Sequence, residues 1–288
     1  MKKVNLFIVG AMRCGTTSFS EMLNSHQDIY VPPIKEPHYF SDPLPKAFLD
    51  RSRFFSVSGY FKNTFPRPLH SAQIFEEKYY KKLYSLATHQ KYLVDASTSY
   101  LHEPGAAERI KEYNPSAKII ILTRDPLERA FSHYRMDVGL GRTKKSFSYH
   151  LEREYELYQN NDLAWYSYIH MSSYKKPVGH YEALFENVKI IAIEDLKTNL
   201  SKEIEEVSAF LKIPHFENSQ FKKLNGGSIP RTLLIYYLKR LGLKDIFSPI
   251  IPENFKKKLL KHLNSSNSRI PKLSAKLERR ILDIFESQ

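Results

Sequence analysis

The apolar positions of the chain fall into short runs separated by segments of helical period. Four runs rich in Ile and Val lack period-two alternation: 6–9, 92–94, 118–122 and 188–193. Such runs are typical of parallel strands whose two faces are both covered. Helical spacing follows the first and last runs, at Phe19, Met22 and Leu23 and at Ile204, Val207, Phe210 and Leu211. Strands alternating with helices predict an α/β fold of three layers, helix–sheet–helix, around a central parallel sheet.

Two segments depart from this pattern. Segment 41–70 contains four prolines and many aromatic residues but few periodic signals, which predicts a long irregular insertion that lines an active site. Segment 252–288 contains two basic amphipathic stretches and is predicted to be helical. No stretch has the composition of a linker, so we expect one domain over residues 1–288.

Composition adds a charge constraint. The 288 residues include 44 basic and 31 acidic side chains, for a net charge of +13. This excess favours an anionic partner, namely nucleic acid, a membrane surface or an acidic small molecule, or else forms a solvated basic surface.

The single cysteine, Cys14, excludes an intramolecular disulfide and fits a reducing compartment. No apolar run approaches the roughly 20 residues of a membrane span, so we expect a soluble cytoplasmic protein.

The first predicted strand leads into a loop with candidate anion-binding chemistry. Its glycines, Gly10 and Gly15, have the G-x-x-x-x-G spacing of a phosphate-binding loop, and a helix is predicted to begin near Thr17. Backbone N–H groups at a helix N-terminus bind tetrahedral oxyanions. Hydroxyl groups follow the second glycine at Thr16, Thr17 and Ser18.

The cation of this loop differs from that of nucleotide hydrolases. Those loops place Lys directly after the second glycine to help neutralise a highly charged phosphoryl group, whereas this chain has Arg13 before it. A sulfuryl group carries less charge and needs a donor at its bridging oxygen more than a metal, and Arg13 is such a donor. Cys14 is either a nucleophile activated by the helix terminus or a small residue in a tight turn.

A second candidate anion site follows the third apolar run. Arg124 stands at the C-terminal end of that predicted strand, where ligands collect in open α/β sheets. Pro126 is predicted to open the next helix. Arg124 and Ser132 both face one phosphate if the chain turns between them, with Arg129 and Arg135 as alternatives. The competing interpretation pairs Arg124 with a neighbouring acid and leaves the other arginines on a solvated helix face.

These stretches, taken in order, resemble the sulfotransferases that use 3′-phosphoadenosine 5′-phosphosulfate (PAPS), most closely the heparan-sulfate type and its bacterial relatives. The resemblance covers residues 4 to about 232. It is carried by FIVGAMRCGTTSFSEMLNSHQDI (7–29), KEPHYF (35–40), VDASTSYL (94–101), IIILTRDPLERAFSHY (119–134), SSYKKPVGHYEALFENVKIIAIEDL (172–196) and NGGSIPR (225–231). It implies the P-loop NTPase-like sulfotransferase fold, with PAPS as donor, adenosine 3′,5′-bisphosphate as product and no metal.

The resemblance also implies which residues bind the donor. The 5′-phosphosulfate loop corresponds to Arg13, Cys14, Gly15, Thr16, Thr17 and Ser18. The 3′-phosphate pair corresponds to Arg124 and Ser132, and a loop that closes over the nucleotide to Gly226, Gly227, Ser228 and Arg231. One departure concerns Arg13, because many relatives have Lys there, and Arg is bulkier although it is also a donor.

The matching positions assign the chemistry as well. Glu36 corresponds to the general base, which removes the proton of the acceptor hydroxyl, and His38 is either a competing base or a residue that orients Glu36 or the acceptor. Lys35 and Arg13 stabilise charge on the leaving side. Lys35 and His38 also adjoin the acceptor, and Asp95 either binds acceptor hydroxyls or caps a turn.

The acceptor expected from the resemblance is a carbohydrate or glycoconjugate, with a lipid or small-molecule alcohol as the alternative. Aromatic residues near the insertion either stack on sugar rings or fill a core, and the core is favoured for most: Tyr39, Phe40, Phe54, Phe55, Tyr60 and Phe61. A phosphate-loop kinase is disfavoured by the missing Lys. A nucleic-acid-binding protein is disfavoured because no recognition motif accompanies the charge. The basic C-terminal helices either touch a membrane or form a solvated face.

Overall fold

The computed structural model describes residues 2–49, 55–216, 229–230, 264–265 and 269–288. Contacts divide the chain into two compact units. The first unit comprises residues 1–125, 173–224 and 288, and the second comprises 126–172 and 225–287. The expectation of one domain stays a prediction.

The first unit contains a five-stranded parallel sheet of order β2-β5-β1-β6-β7. The strands of this sheet are β1 (Leu6–Gly10), β2 (Ile29–Tyr30), β5 (Tyr92–Asp95), β6 (Lys118–Thr123) and β7 (Val188–Ala192). Two further strands of this unit, β3 (Ile34–Glu36) and β4 (Leu69–Ser71), form a separate two-stranded sheet. In the second unit, β8 (Ile229–Pro230) and β9 (Asn264–Ser265) form an antiparallel pair. All residues of β1 and β5 are buried, which explains why their sequences do not alternate. The predicted α/β class and its four long strands are confirmed, although Ile193 was wrongly assigned to the last strand and begins a helix instead.

Helices occur in both units. They are α1 (Thr16–Leu23), α2 (Val57–Asn63), α3 (Glu77–Leu83), α4 (Ala106–Tyr113), α5 (Pro126–Leu140), α6 (Phe147–Gln159), α7 (Lys175–Leu184), α8 (Ile193–Thr198), α9 (Leu200–Leu211) and α10 (Ala275–Ser287), with a 3₁₀ turn at His170–Ser172. Helices α5, α6 and α10 belong to the second unit and the other α-helices described belong to the first. Helix α9 buries Ile204, Val207 and Leu211, three of the four residues whose spacing predicted it.

The predicted insertion is more ordered than its sequence suggested. Residues 41–49 contain no helix or strand, whereas α2 and the first two residues of β4 lie within segment 41–70, so the segment contains regular elements that its sequence did not indicate. Strand β4 pairs in parallel with β3, with Glu36 opposite Ser71. The hydroxyl of Ser56 caps α2 by accepting a hydrogen bond from the Gly59 N–H at 3.1 Å.

Most aromatic residues near this insertion fill the core, as the favoured interpretation held. Phe40, Tyr60 and Phe61 are buried, and Tyr39 and Phe55 pack against the same cluster. Phe54 lies outside the described residues. The side chains of Tyr39 and Tyr80 stack at 4.2 Å between ring centroids.

The second unit has a core of its own, formed by residues of α5, α6 and α10 together with Tyr168, Ile169 and Leu273. Helix α10 contributes Leu277, Ile281, Ile284 and Phe285 to that core and exposes Lys276, Arg279 and Arg280. This confirms the second predicted amphipathic stretch, whereas the stretch at 255–263 lies outside the described residues.

A buried arginine organises the polar part of this unit. Arg129 is fully buried on α5, where its Nε donates to Ser172 Oγ at 2.7 Å and its Nη2 donates to the Tyr168 carbonyl oxygen at 2.8 Å. Burying a guanidinium is costly unless its donors are paired. Two of the donors of Arg129 are therefore paired with oxygen atoms inside the unit.

We predict that Arg129→Met lowers the free energy of unfolding by about 3 kcal/mol, because the paired oxygens stay buried without their donor. Urea unfolding followed by circular dichroism measures this change. The matched control is Arg153→Met on α6, where Arg153 is exposed and lies 3.5 Å from Glu156. The control should stay within about 0.5 kcal/mol of wild type, and equal losses in the two variants would contradict the prediction.

Candidate active site

The loop between β1 and α1 has the strand–turn–helix context predicted for an anion-binding loop. Gly15 adopts a left-handed conformation, with φ of 83°, and precedes α1, which begins at Thr16 rather than Thr17. Arg13 has φ of 74°. Thr16 and Ser18 are buried, and Thr17 is partly exposed. The loop thus places backbone N–H groups and hydroxyls together at the start of a helix, the arrangement that binds oxyanions.

Two packing contacts support this loop. A side-chain carbon added to Gly10 would lie 2.8 Å from Cβ of Leu101, so the close approach of these segments requires glycine. Cys14 is fully buried, with its Sγ 3.5 Å from the Tyr174 hydroxyl. Burial of the thiol keeps substrates from the sulfur, which favours the interpretation of Cys14 as a small residue in a tight turn.

Strand β3 brings the predicted base to the loop. Lys35 Nζ donates to Thr16 Oγ1 at 3.2 Å and to Glu36 Oε1 at 2.7 Å. Glu36 Oε2 accepts from Thr98 Oγ1 at 3.1 Å. Lys35 and Glu36 are 8% and 7% exposed, so this ion pair is nearly removed from water. The sequence analysis missed Thr98, although it lies in the stretch 94–101 that carried part of the resemblance.

The neighbours of Glu36 keep it ionised. Burial by itself would raise the pKa of this carboxyl, but the charge of Lys35 and the hydrogen bond with His38 outweigh burial and hold the pKa well below its usual range. An ionised carboxylate is the form that can accept a proton.

His38 is held from both sides. Its side chain is 1% exposed, its Nδ1 lies 2.7 Å from Ser99 Oγ, and its Nε2 lies 3.0 Å from Ser71 Oγ and 3.4 Å from Glu36 Oε2. Its backbone N–H donates to Ser97 Oγ at 2.9 Å, and its φ of 47° is left-handed. With both ring nitrogens engaged inside the protein, His38 fits the orienting role better than that of the competing base.

Asp95 is part of the framework beneath the site. It is fully buried, and its Oδ2 accepts from the hydroxyls of Tyr80 at 3.0 Å and Tyr100 at 2.9 Å. Its Oδ1 accepts from the Ser97 N–H at 3.1 Å and Ser97 Oγ at 2.6 Å, which forms a turn. Burial raises the pKa of Asp95 to about 6, although the hydrogen bonds from Ser97, Tyr100 and Tyr80 lower it. These contacts fit the alternative turn role of Asp95, and its assignment to acceptor binding stays a prediction.

The two residues predicted to bind the 3′-phosphate belong to different structural units. Arg124 follows β6 in the first unit, Ser132 lies on α5 in the second, and both are partly exposed. Helix α5 begins at Pro126, as predicted. The alternative in which Arg129 binds the phosphate is disfavoured, because its side chain is buried and donates to Ser172 and Tyr168.

The predicted loop over the nucleotide lies outside the described residues, with its four candidate contacts Gly226, Gly227, Ser228 and Arg231. Within the described ranges, no cluster of three or more His, Cys, Asp or Glu side chains is arranged to hold a metal ion. Of the helices described, none combines the length and hydropathy that a membrane span requires.

Comparisons with known proteins identify the family. The model of the Sulfotransferase family matches residues 5–218. A membrane-associated sulfotransferase, kil1, from Dictyostelium discoideum is 26% identical over 159 residues, which span 55% of this chain and 28% of that protein. Heparan sulfate glucosamine 3-O-sulfotransferase 5 from Mus musculus is 23% identical over 276 residues, 93% of this chain and 71% of that protein.

A solved structure supports the same assignment. The crystal structure of a sulfotransferase from Alicyclobacillus acidocaldarius superposes with a TM-score of 0.61 and 29% identity, over 94% of this chain and 100% of that one. The fold and the family model, which matches well over half of the chain, agree with each other. The chain therefore belongs to the sulfotransferase family and is a PAPS-dependent sulfotransferase.

Proposed function

We propose that this enzyme transfers the sulfuryl group of PAPS to an acceptor hydroxyl, with Glu36 as general base. One observation carries the proposal: the side chain of Lys35 contacts both the Glu36 carboxylate and the Thr16 hydroxyl of the anion loop. A single cation thus joins the group that takes the acceptor proton to the loop that holds the leaving group. Such fixed geometry is what an in-line displacement needs.

In the proposed step, the acceptor oxygen attacks sulfur as the S–O bond to the 5′-phosphate breaks. Glu36 Oε1 or Oε2 receives the acceptor proton, and adenosine 3′,5′-bisphosphate leaves. Lys35 and Arg13 donate toward the bridging oxygen, where negative charge develops. Arg124, at the C-terminal end of β6, binds the 3′-phosphate, and this contact distinguishes the donor from ATP.

We propose a saccharide or glycoconjugate as the acceptor. The support is indirect: one relative is named for heparan sulfate, and the net charge of +13 suits an anionic sugar chain. Membrane contact by α10 is a weaker candidate, because its buried apolar residues belong to the core of the second unit. A screen of saccharide, lipid and small-alcohol acceptors with labelled PAPS, scored by mass spectrometry, tests this choice. A cytoplasmic location stays a prediction.

We predict that the protein binds adenosine 3′,5′-bisphosphate and not ATP–Mg²⁺. The loop lacks the Lys that follows the second glycine in nucleotide hydrolases, and Arg124 and Ser132 favour a 3′-phosphate. Isothermal titration calorimetry compares the two ligands directly. Tight binding of ATP–Mg²⁺ with no heat from the bisphosphate would favour the kinase alternative.

We predict that Glu36→Gln lowers the rate of sulfuryl transfer by about 10² to 10⁴, the usual contribution of a general base. The amide keeps the shape of the side chain but cannot take the proton. Bisphosphate affinity, measured by calorimetry, should stay within a few-fold of wild type. The matched control, Glu108→Gln, alters an exposed carboxylate bonded to His180 and should leave the rate unchanged. Full activity of Glu36→Gln would rule it out as base.

We predict that Lys35→Met moves the acidic limb of the pH profile of kcat/KM to higher pH. Burial raises the pKa of Glu36 and Lys35 lowers it, so removing the cation raises the pH below which the base is protonated and loses activity. The profile should be recorded from pH 4 to 8, where wild type should show no loss from protonation of Glu36 and Lys35→Met should show one. Lys35→Arg keeps the charge and should keep the limb in place, although its overall rate falls. An unmoved limb in Lys35→Met would contradict the electrostatic role.

A further inference from the structure

His70 meets the proposed base from the solvent side. Its Nε2 lies 3.6 Å from Glu36 Oε1, and its side chain is 58% exposed, whereas that of Glu36 is 9% exposed. It lies on β4, directly before Ser71, which pairs with Glu36 across the two-stranded sheet. No motif in the sequence singled out this histidine.

The reaction requires a route for a proton. Each turnover consumes an acceptor O–H and yields a sulfate ester, the bisphosphate and one proton, which Glu36 holds at first. Glu36 is buried, so the proton must pass through a neighbouring group or water before the base can act again. A carboxyl whose pKa is held low gives up its proton readily, and imidazole is the side chain that commonly carries protons near neutral pH.

The other described groups that contact Glu36 do not offer this route. Lys35 carries its own protons as a cation and is buried, and Thr98 is a buried hydroxyl. The ring of His38 is buried and lies against the buried hydroxyls of Ser71 and Ser99. His70 differs from these groups because its ring is exposed to solvent.

We propose that His70 takes the proton from Glu36 after sulfuryl transfer and releases it to solvent. In this step the proton moves from a Glu36 carboxyl oxygen to the neutral His70 imidazole, the carboxylate is restored, and the imidazolium then loses the proton to buffer. The separation of 3.6 Å closes by a small side-chain movement or through one water, since catalytic contacts commonly tighten in the bound complex. The inference rests on the proposed role of Glu36.

The test compares single and multiple turnovers of His70→Gln in weak buffer. Glu36 is still present to accept the first proton, so the single-turnover rate of transfer should match wild type. Restoring Glu36 then becomes slow, and kcat should fall by about tenfold or more. Added imidazole should restore kcat as its concentration rises, and bisphosphate affinity should be unchanged.

The matched control is His180→Gln. His180 is also exposed and lies 2.8 Å from a carboxylate, that of Glu108, so the two substitutions are chemically alike. Its kcat should equal that of wild type with and without imidazole. An equal loss in the two variants would overturn the proposal.

Two further outcomes would overturn it and leave the proposed function standing. One is an unchanged kcat for His70→Gln in weak buffer. The other is a raised KM for the acceptor with no response to imidazole, which would make His70 a substrate-binding residue. Absence of transfer from PAPS by the wild-type protein to every acceptor tested would instead overturn the proposed function, and the inference with it.

Discussion

The arrangement depends on one buried ion pair, that of Lys35 and Glu36. Removing two charges from water is costly, and the cost is offset only when their remaining donors and acceptors are also paired. Here Thr16 accepts from Lys35 and Thr98 donates to Glu36, so both charges have a second partner. The hydrogen bond from Lys35 to Thr16 also connects β3 to the anion loop, and the charge of Lys35 keeps the carboxylate of Glu36 ionised.

A chain of hydrogen bonds supports this pair from below. Asp95 accepts from Ser97 Oγ at 2.6 Å, Ser97 Oγ accepts from the His38 N–H at 2.9 Å, and the His38 ring lies 3.4 Å from Glu36. Because every member is buried, each hydrogen bond is made in a medium of low dielectric constant, where it is strong and costly to lose. Asp95 is thus connected to the base through Ser97 and His38, although its own side chain has no contact with solvent.

Local patterns predicted much of the fold but erred where contacts override them. The four long strands and the loop were recognisable because each depends on residues close in sequence. Strand β2 was missed because Ile29–Tyr30 is too short to show a period. Helix α2 was missed because prolines flank it, and Ile193 was misassigned because an apolar run does not mark where a strand becomes a helix.

The sequence by itself determined the class of fold, the anion loop and the family, because these depend on ordered local motifs. Only the tertiary structure decided which side chains share the site. Thr98 lies 62 positions from Glu36, and His70 reaches the same carboxylate from a strand whose pairing no local period predicts. Burial, which depends on the whole packed chain, also decides which polar groups must find partners inside the protein, as Asp95, His38 and Arg129 do.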